Sequence, residues 1–345
     1  MWITLVSVFG AVMLANFACA AHAQESDGES RRLKRHVFLF PTLQDSAFVT
    51  THVGIREGFA LYEVPNLPVG SLGTRDIKLS GIRTSLDLAV GITEWLGLFG
   101  FGRALLVTGV DRTSLLVDGA SVEFVASGGV VVRLLKSEAT GTQVALRAQG
   151  TYRDGQEVTL QPLISELVDE VSDTLAEVIE GRLGHLILVP TAETSLSGGA
   201  HAAQTILPFL SAQASVTFEH GWEERAPFLL ELDDRLNQDS DVFRMQLAAA
   251  VELDLSLIVA PVSLLAEYMY MHGNRSADAE PDTDLGSSNI GLGIYYVGRP
   301  NLQLGVSGVT SLDAAPRRGL DEQGDAEFSD APTLSYLDLI LRYVW

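Results

Sequence analysis

The chain has 345 residues, with 44 acidic against 23 basic side chains and a net charge of −21. That balance excludes a nucleic-acid binder, which needs a basic footprint. Hydrophobic residues make up 47% of the chain, yet beyond the N-terminal run no apolar stretch approaches the roughly 18 residues of a transmembrane helix. The apolar residues instead alternate with polar ones along most of the chain, as the lipid-facing surface of a β-barrel requires.

Residues 1–23 predict a signal peptide. Trp2 to Ala15 is an apolar run, and Ala21-His22-Ala23 before Gln24 fits a small-x-small cleavage site, although no Lys or Arg precedes the run. No charged residue lies within 1–23, so the mature chain keeps the net charge of −21. Cys19 follows Asn16-Phe17-Ala18, a poor lipobox, and removal of the leader leaves no cysteine for a disulfide. Residues 24–46 carry Arg31, Arg32, Lys34 and Arg35 and read as a solvated periplasmic leader, ahead of a barrel domain spanning 47–345.

Period-2 segments follow at 48–63, 81–92, 95–108, 121–135, 142–153, 205–219, 226–232 (weak), 242–257, 262–272, 289–298, 302–312 and 334–345. Residues 81–92 show the pattern cleanly: Ile82, Leu86, Leu88, Val90 and Ile92 alternate with Arg83, Ser85, Asp87 and Ala89. In the last segment Leu337, Leu339, Leu341, Tyr343 and Trp345 share one face, and Asp338 and Arg342 stand on the other. The links alternate in length: long at 64–80, 109–120, 154–204, 233–241, 273–288 and 313–333, short at 93–94, 136–141, 220–225, 258–261 and 299–300. Outer-membrane barrels of Gram-negative bacteria have short periplasmic turns, longer extracellular loops and an even strand number. The expected fold is therefore all-β: a transmembrane antiparallel up-and-down barrel of about twelve strands, in the outer membrane with both termini periplasmic.

The longest link, 154–204, holds a different period. Leu160, Leu163, Ile164, Leu167, Val171, Leu175, Val178 and Leu183 recur at helical spacing, opposite Glu166, Asp169, Glu170, Asp173, Glu177 and Glu180. They predict an amphipathic helix over 160–183, either packed over its own loop or narrowing the barrel mouth. The acidic links, such as Ser276 to Asp284, lack the Asp-x-Asp-x-Asp-Gly order of a calcium loop and read as solvated.

Motifs for nucleotides, metalloproteases and hydrolase nucleophiles (GxxxxGK[ST], HExxH, GxSxG) are absent from the sequence. No enzyme activity, cofactor or metal is expected. The best candidate for lipid hydrolysis is His272 with Ser276, whose HGNRS context does not match the outer-membrane phospholipases. His220 is placed at a periplasmic turn and His201 in a Gly- and Ala-rich loop. If the apolar faces meet lipid, then Arg83, Asp87, Gln143, Arg147, Arg244, Glu252, Asp254, Glu267, Asp338 and Arg342 point inward. A mid-membrane Arg or Lys on the lipid face would cost about 2–4 kcal/mol. Such residues either pair across a closed interior or line an aqueous path; Glu252 and Asp254 with Arg244, and Asp338 with Arg342, suit both.

Leu86 to Gly102, LDLAVGITEWLGLFGFG, resembles the strand–turn–strand unit of outer-membrane barrels associated with the meta-cleavage pathway of phenol degradation, and Leu264 to Tyr270, LLAEYMY, looks like a later strand of that family. The closing strand fits as well, while the segment 160–183 departs from the family. The long-chain fatty-acid channels are a more distant comparison. The resemblance implies an outer-membrane channel or transporter, small hydrophobic or aromatic compounds being among its candidate solutes. The expected partners are outer-membrane lipid, a small-molecule solute and, through the C-terminal strand, the barrel assembly machinery. The expected function is passive passage of small solutes. The alternatives are a non-conducting structural or interaction barrel that displays acidic loops, and an outer-membrane lipid hydrolase.

Overall fold

The computed structural model describes residues 29–68, 73–109, 120–158, 188–225, 228–229, 234–235, 238–256, 259–277, 280–314, 318–320 and 326–345. Twelve strands form one closed barrel: β1 (His52–Pro68), β2 (Thr74–Gly91), β3 (Leu96–Gly109), β4 (Ala120–Ser137), β5 (Thr142–Val158), β6 (Leu188–Leu207), β7 (Leu210–Arg225), β8 (Gln238–Asp254), β9 (Val262–Ala277), β10 (Glu280–Tyr296), β11 (Leu302–Ala314) and β12 (Thr333–Val344). Each strand pairs antiparallel with the next, and β12 closes on β1 from Val344↔His52 to Thr333↔Glu63. Closure leaves no unpaired sheet edge, the condition for placing strands in hydrocarbon.

Side-chain alternation follows from the pleat. The outward face exposes Ile82, Leu106, Phe124, Leu196, Leu292 and Leu337 among many large apolar residues. Each would cost about 1.5–3 kcal/mol to hold in water rather than in an apolar phase, so this surface suits lipid. Trp95, Tyr296, Tyr343 and Trp345 are exposed at one end, with the Tyr343 and Trp345 rings 4.9 Å apart. Such rings suit a membrane interface. That end also carries the strand connections within 92–95, 138–141, 208–209, 255–261 and 297–301, and both chain ends of the barrel. It is called here the turn end. The connections at the other, loop end fall within 69–73, 110–119, 159–187, 226–237, 278–279 and 315–332.

The expected barrel and its strand number are found, but two strands are differently placed. Residues 205–219 are not one strand: the chain turns at Pro208-Phe209, between β6 and β7. Of the expected strand at 226–232, the described Phe228–Leu229 pairs with Asp234–Arg235 and is no part of the barrel. The missing stave is β6, within what reads in sequence as a long link. His220 therefore stands on β7 near the loop end rather than at a turn, and His201 lies on β6 rather than in a loop. The predicted helix over 160–183 lies outside the described residues.

The largest correction concerns residues 24–46, expected as a solvated leader. Much of the described part of this segment is packed against and within the barrel: Leu33, Phe38, Leu39, Phe40 and Leu43 are buried, as are Ala47, Phe48 and Val49 just after it, while Lys34 and Arg35 stay exposed. The reason is apolar content: the inward faces of β5, β6 and β8 offer Ala145, Ala203 and Ala250, small residues that leave room for these side chains. Arg32–Leu33 and His36–Val37 form a two-rung ladder, and its turn puts Lys34 and Arg35 at φ 46° and 69°. That left-handed turn matches the twist of a tight hairpin at a cost of about 1–2 kcal/mol per non-glycine residue.

Candidate functional site

The lumen is the candidate site, and it has two unlike halves. The turn-side half is filled by residues 38–50. The Phe38 and Phe48 rings lie 5.0 Å apart, so the segment enters, bends near Pro41-Thr42 and returns to the start of β1. It joins no barrel strand. Side chains of the wall bind its backbone instead. The Leu39 N–H donates to Glu252 (2.9 Å), and the Leu39 carbonyl accepts from Gln213 (2.8 Å). The Gln303 amide pairs with both backbone groups of Phe40 (3.1 and 3.2 Å). Glu267 accepts the N–H of Thr42 (2.9 Å) and of Leu43 (2.8 Å). The carbonyls of Leu43, Ser46 and Ala47 accept from Gln246 (3.0 Å), Arg147 (3.2 Å) and Gln143 (2.7 Å). His201 Nδ1 stands 3.1 Å from the Asp45 carbonyl. A buried backbone group without a partner costs about 1–3 kcal/mol, so these wall residues make the buried loop possible.

Below this loop, Arg31 donates to the carbonyls of Phe38 and Pro300, both at 2.7 Å. Burial brings its pKa down to about 10, which leaves it charged at neutral pH. His36 Nε2 stands 3.5 Å from Glu252, and Nδ1 is 3.3 Å from the Pro208 carbonyl. Burial alone would lower the His36 pKa, but Glu252, helped by the Pro208 carbonyl and Asp254, outweighs it and raises the pKa above its ordinary value.

Two ion pairs cross β1. Arg342 on β12 binds Asp87 on β2 (2.7 Å), and Arg83 on β2 binds Asp338 on β12. In register, Gly54 lies between the first pair and Gly58 between the second. A Cβ on Gly54 would clash with Asp87 Oδ1, and one on Gly58 with Asp338 Oδ1. Glycine at both positions lets the side chains meet over the strand. Asp87 also takes His52 Nε2 at 3.0 Å, and His52 Nδ1 is 2.9 Å from the Thr50 hydroxyl, which ties the end of the buried segment to the wall.

The loop-side half holds a chain of alternating charge across adjacent strands. Arg103 on β3 pairs with Glu123 on β4. Arg153 on β5 reaches Glu123 (3.8 Å) and Glu193 on β6 (3.0 Å). Arg244 on β8 binds Glu193 (2.6 Å) and Glu219 on β7, and Arg275 on β9 binds Glu223 (2.8 Å). The side chains of Arg153 and Glu123 are 37% and 28% exposed, against 3% for Arg342 and 0% for Asp338, so this half is the more exposed of the two, although Glu193 at its centre is buried.

The residues singled out from the sequence divide between these sites. Arg83, Asp87, Asp338 and Arg342 form the two pairs across β1; Glu252, Glu267, Gln143 and Arg147 hold the buried segment; Arg244 belongs to the charge chain. Asp254 accepts the Ser256 N–H (2.8 Å) at the turn end. The expected pairings within one strand do not occur. Residues four apart on a strand are separated by about 13 Å, whereas neighbouring strands lie about 4.8 Å apart; partners therefore come from adjacent or next-adjacent staves. Gln246 falls by alternation on the same polar face as Arg244 and Glu252. Arg56, Glu193, Gln213 and Gln303 escape sequence reading, although period-2 alternation extended over β6 and the start of β7 would have found the second and third. His272 is exposed on the even-numbered, outward face of β9, and Ser276 stands on that same face about 13 Å away, too far to act together.

No family model and no characterised protein matches the sequence. Solved structures do match. The translocator domain of the autotransporter NalP from Neisseria meningitidis is 9% identical with a TM-score of 0.50, over 86% of this chain and 89% of that one. An outer membrane channel from Pseudomonas putida F1 is 13% identical with a TM-score of 0.47, over 86% and 96%. The P. putida toluene transporter TodX is 10% identical with a TM-score of 0.39, over 86% and 89%. At these identities the likeness is one of fold: the chain shares the closed antiparallel β-barrel of outer-membrane proteins.

Proposed function

We propose that this chain is an outer-membrane channel for passive passage of small solutes, hydrophobic ones among them, closed in the described state by its own N-terminal segment. One observation carries the reading. Residues 38–50 are held by wall side chains and not by strand pairing. The carboxylates and amides that grip them can be satisfied by water when the segment leaves, so withdrawal would leave an intact polar lumen. The exposed apolar belt and the interfacial rings support an outer-membrane address, and the grouping of short turns with both barrel termini supports a periplasmic turn end. The aromatic C-terminal strand, ending in Trp345, is proposed to engage the barrel assembly machinery. No catalytic role is proposed.

A second reading is a non-conducting barrel that displays acidic loops; the dry ion pairs and the charge chain favour it. Planar-bilayer recording separates the two. The channel reading expects little conductance from the full chain and large, stable steps once residues 24–48 are deleted. Silence in both forms would sink it and leave the structural barrel.

A further inference from the structure

Between the buried segment and the wall lies a cavity of about 270 Å³. Three guanidinium groups line it: Arg56 on β1, Arg147 on β5 and Arg342 on β12. Two carboxylates line it too, Asp45 and Asp87, so the lining carries one net positive charge with His52 neutral (three cations less two anions). Both carboxylates are engaged, Asp87 through Oδ2 by Arg342 (2.7 Å) and Asp45 by Arg147 (3.5 Å), while Asp87 Oδ1 is buried with no hydrogen-bond partner. Donors remain. Arg342 is 3% exposed, yet its Nη1 is buried with no hydrogen-bond partner. The same holds for Nε of Arg56 and of Arg147. Arg56 has no hydrogen-bond or ion-pair partner at all among the described residues; the nearby charges it feels are Asp87, Arg342 and Glu267, the last outside the lining. The unpaired guanidinium fork of Arg56 matches the planar geometry of a carboxylate. The rest of the lining is mixed: Thr42, Gln44, Gln149 and Gln246 are polar, and Phe48, Phe99 and Phe101 line the same space.

We propose that this cavity binds a small organic carboxylate with an apolar body, its carboxylate on the unpaired guanidinium of Arg56, its body against the phenylalanines. This assigns a ligand class to the lumen of the channel reading and rests on that reading for its purpose. Size sets the limit, since drug-sized ligands fill about 300–1,000 Å³ and this cavity falls just below that range. The chain's net charge of −21 does not assist an anion, but charges beyond about 8 Å are screened at physiological salt, and the local guanidinium groups decide. The ligand would also touch Pro41–Ser46, so its binding couples to the seating of the segment.

The test is calorimetric titration of the purified full chain in detergent with sodium benzoate, benzamide, benzylammonium and inorganic phosphate. Saturable benzoate binding is expected, with benzamide, benzylammonium and phosphate at least tenfold weaker and Arg56→Gln weakening benzoate at least tenfold. Arg56→Gln removes no ion pair among the described residues, so folding should survive, which a heat-modifiability gel checks; Arg56→Lys, which keeps the charge but not the fork, should lie between. Absence of saturable benzoate binding, equal binding of benzamide or phosphate, or full affinity in Arg56→Gln would overturn the proposal. Bilayer conductance is read separately, so a silent barrel that binds benzoate refutes the channel and not the site.

Discussion

The two halves of the lumen are built from the same strands and filled in opposite ways. On the turn side, side chains of six strands converge on the backbone of one looped segment and leave a cavity of about 270 Å³ beside it. On the loop side, arginines and glutamates hand charge from stave to stave along the wall and stay partly wet. The lesson is that inward charge has no single role in a barrel. Charges whose surroundings are dry must be matched one to one, because an unpaired buried ion costs several kcal/mol. Charges that keep water can share partners, and each contact contributes little.

Four measurements can break or sharpen that contrast. Gly58→Ala places a Cβ against the Asp338 carboxylate and should break the buried pair with Arg83, costing about 3–5 kcal/mol; equilibrium unfolding in urea with lipid bilayers checks it, and a wild-type midpoint would show that the pair can shift at no cost. Glu267→Ala leaves the N–H groups of Thr42 and Leu43 without their charged acceptor. The expected loss is about 3 kcal/mol from the seating of the segment, seen as faster proteolysis within residues 38–50 while the barrel stays heat-modifiable. Arg153→Ala, on the wet side, should cost no more than about 0.5–1 kcal/mol and less in high salt, since its side chain is 37% exposed. A loss as large as that of Gly58→Ala would erase the distinction between the halves.

The smallest effect is one of pH. His36 has its pKa raised in the folded state, so the pairing with Glu252 contributes fully below the ordinary value of about 6.5 and is lost as pH rises through the raised value. Protection of the segment from protease should therefore weaken modestly as pH rises above about 6.5, and His36→Gln should flatten that profile. A pH dependence unchanged in the variant would assign it to another group.

Much of this was legible because a barrel obeys one rule. A strand with lipid on one face must alternate, and β2, β8 and β12 alternate plainly, so their existence and the inward parity of Asp87, Glu252 and Asp338 follow from spacing. The rule loses contrast where small residues serve both faces. Around Ser197-Gly198-Gly199-Ala200 the outward positions of β6 carry little that marks them as apolar, and Ile206-Leu207-Pro208-Phe209-Leu210 runs through the β6–β7 turn without a polar break. One stave was hidden and a false one took its place, leaving the total at twelve. The buried segment was hidden for another reason. Its Phe38-Leu39-Phe40 and Phe48-Val49 have no periodicity because they line no regular element, although so many large apolar residues in a leader were a signal that it is not solvated.

By itself the sequence determined the barrel class and, wherever apolar and polar residues alternate plainly, the strands and the division of their side chains between lipid and lumen, because both depend on neighbours along one strand and on a period of two. Which inward charge meets which depended on register between strands, where Gly54 and Gly58 open the space over β1 for partners more than 240 residues apart. What fills the lumen also depended on the closed barrel, since a wall of amides and carboxylates becomes a binding surface for backbone only once its staves surround the segment. Local pattern records the solvent on each side of a strand; only the tertiary structure records what lies across from it.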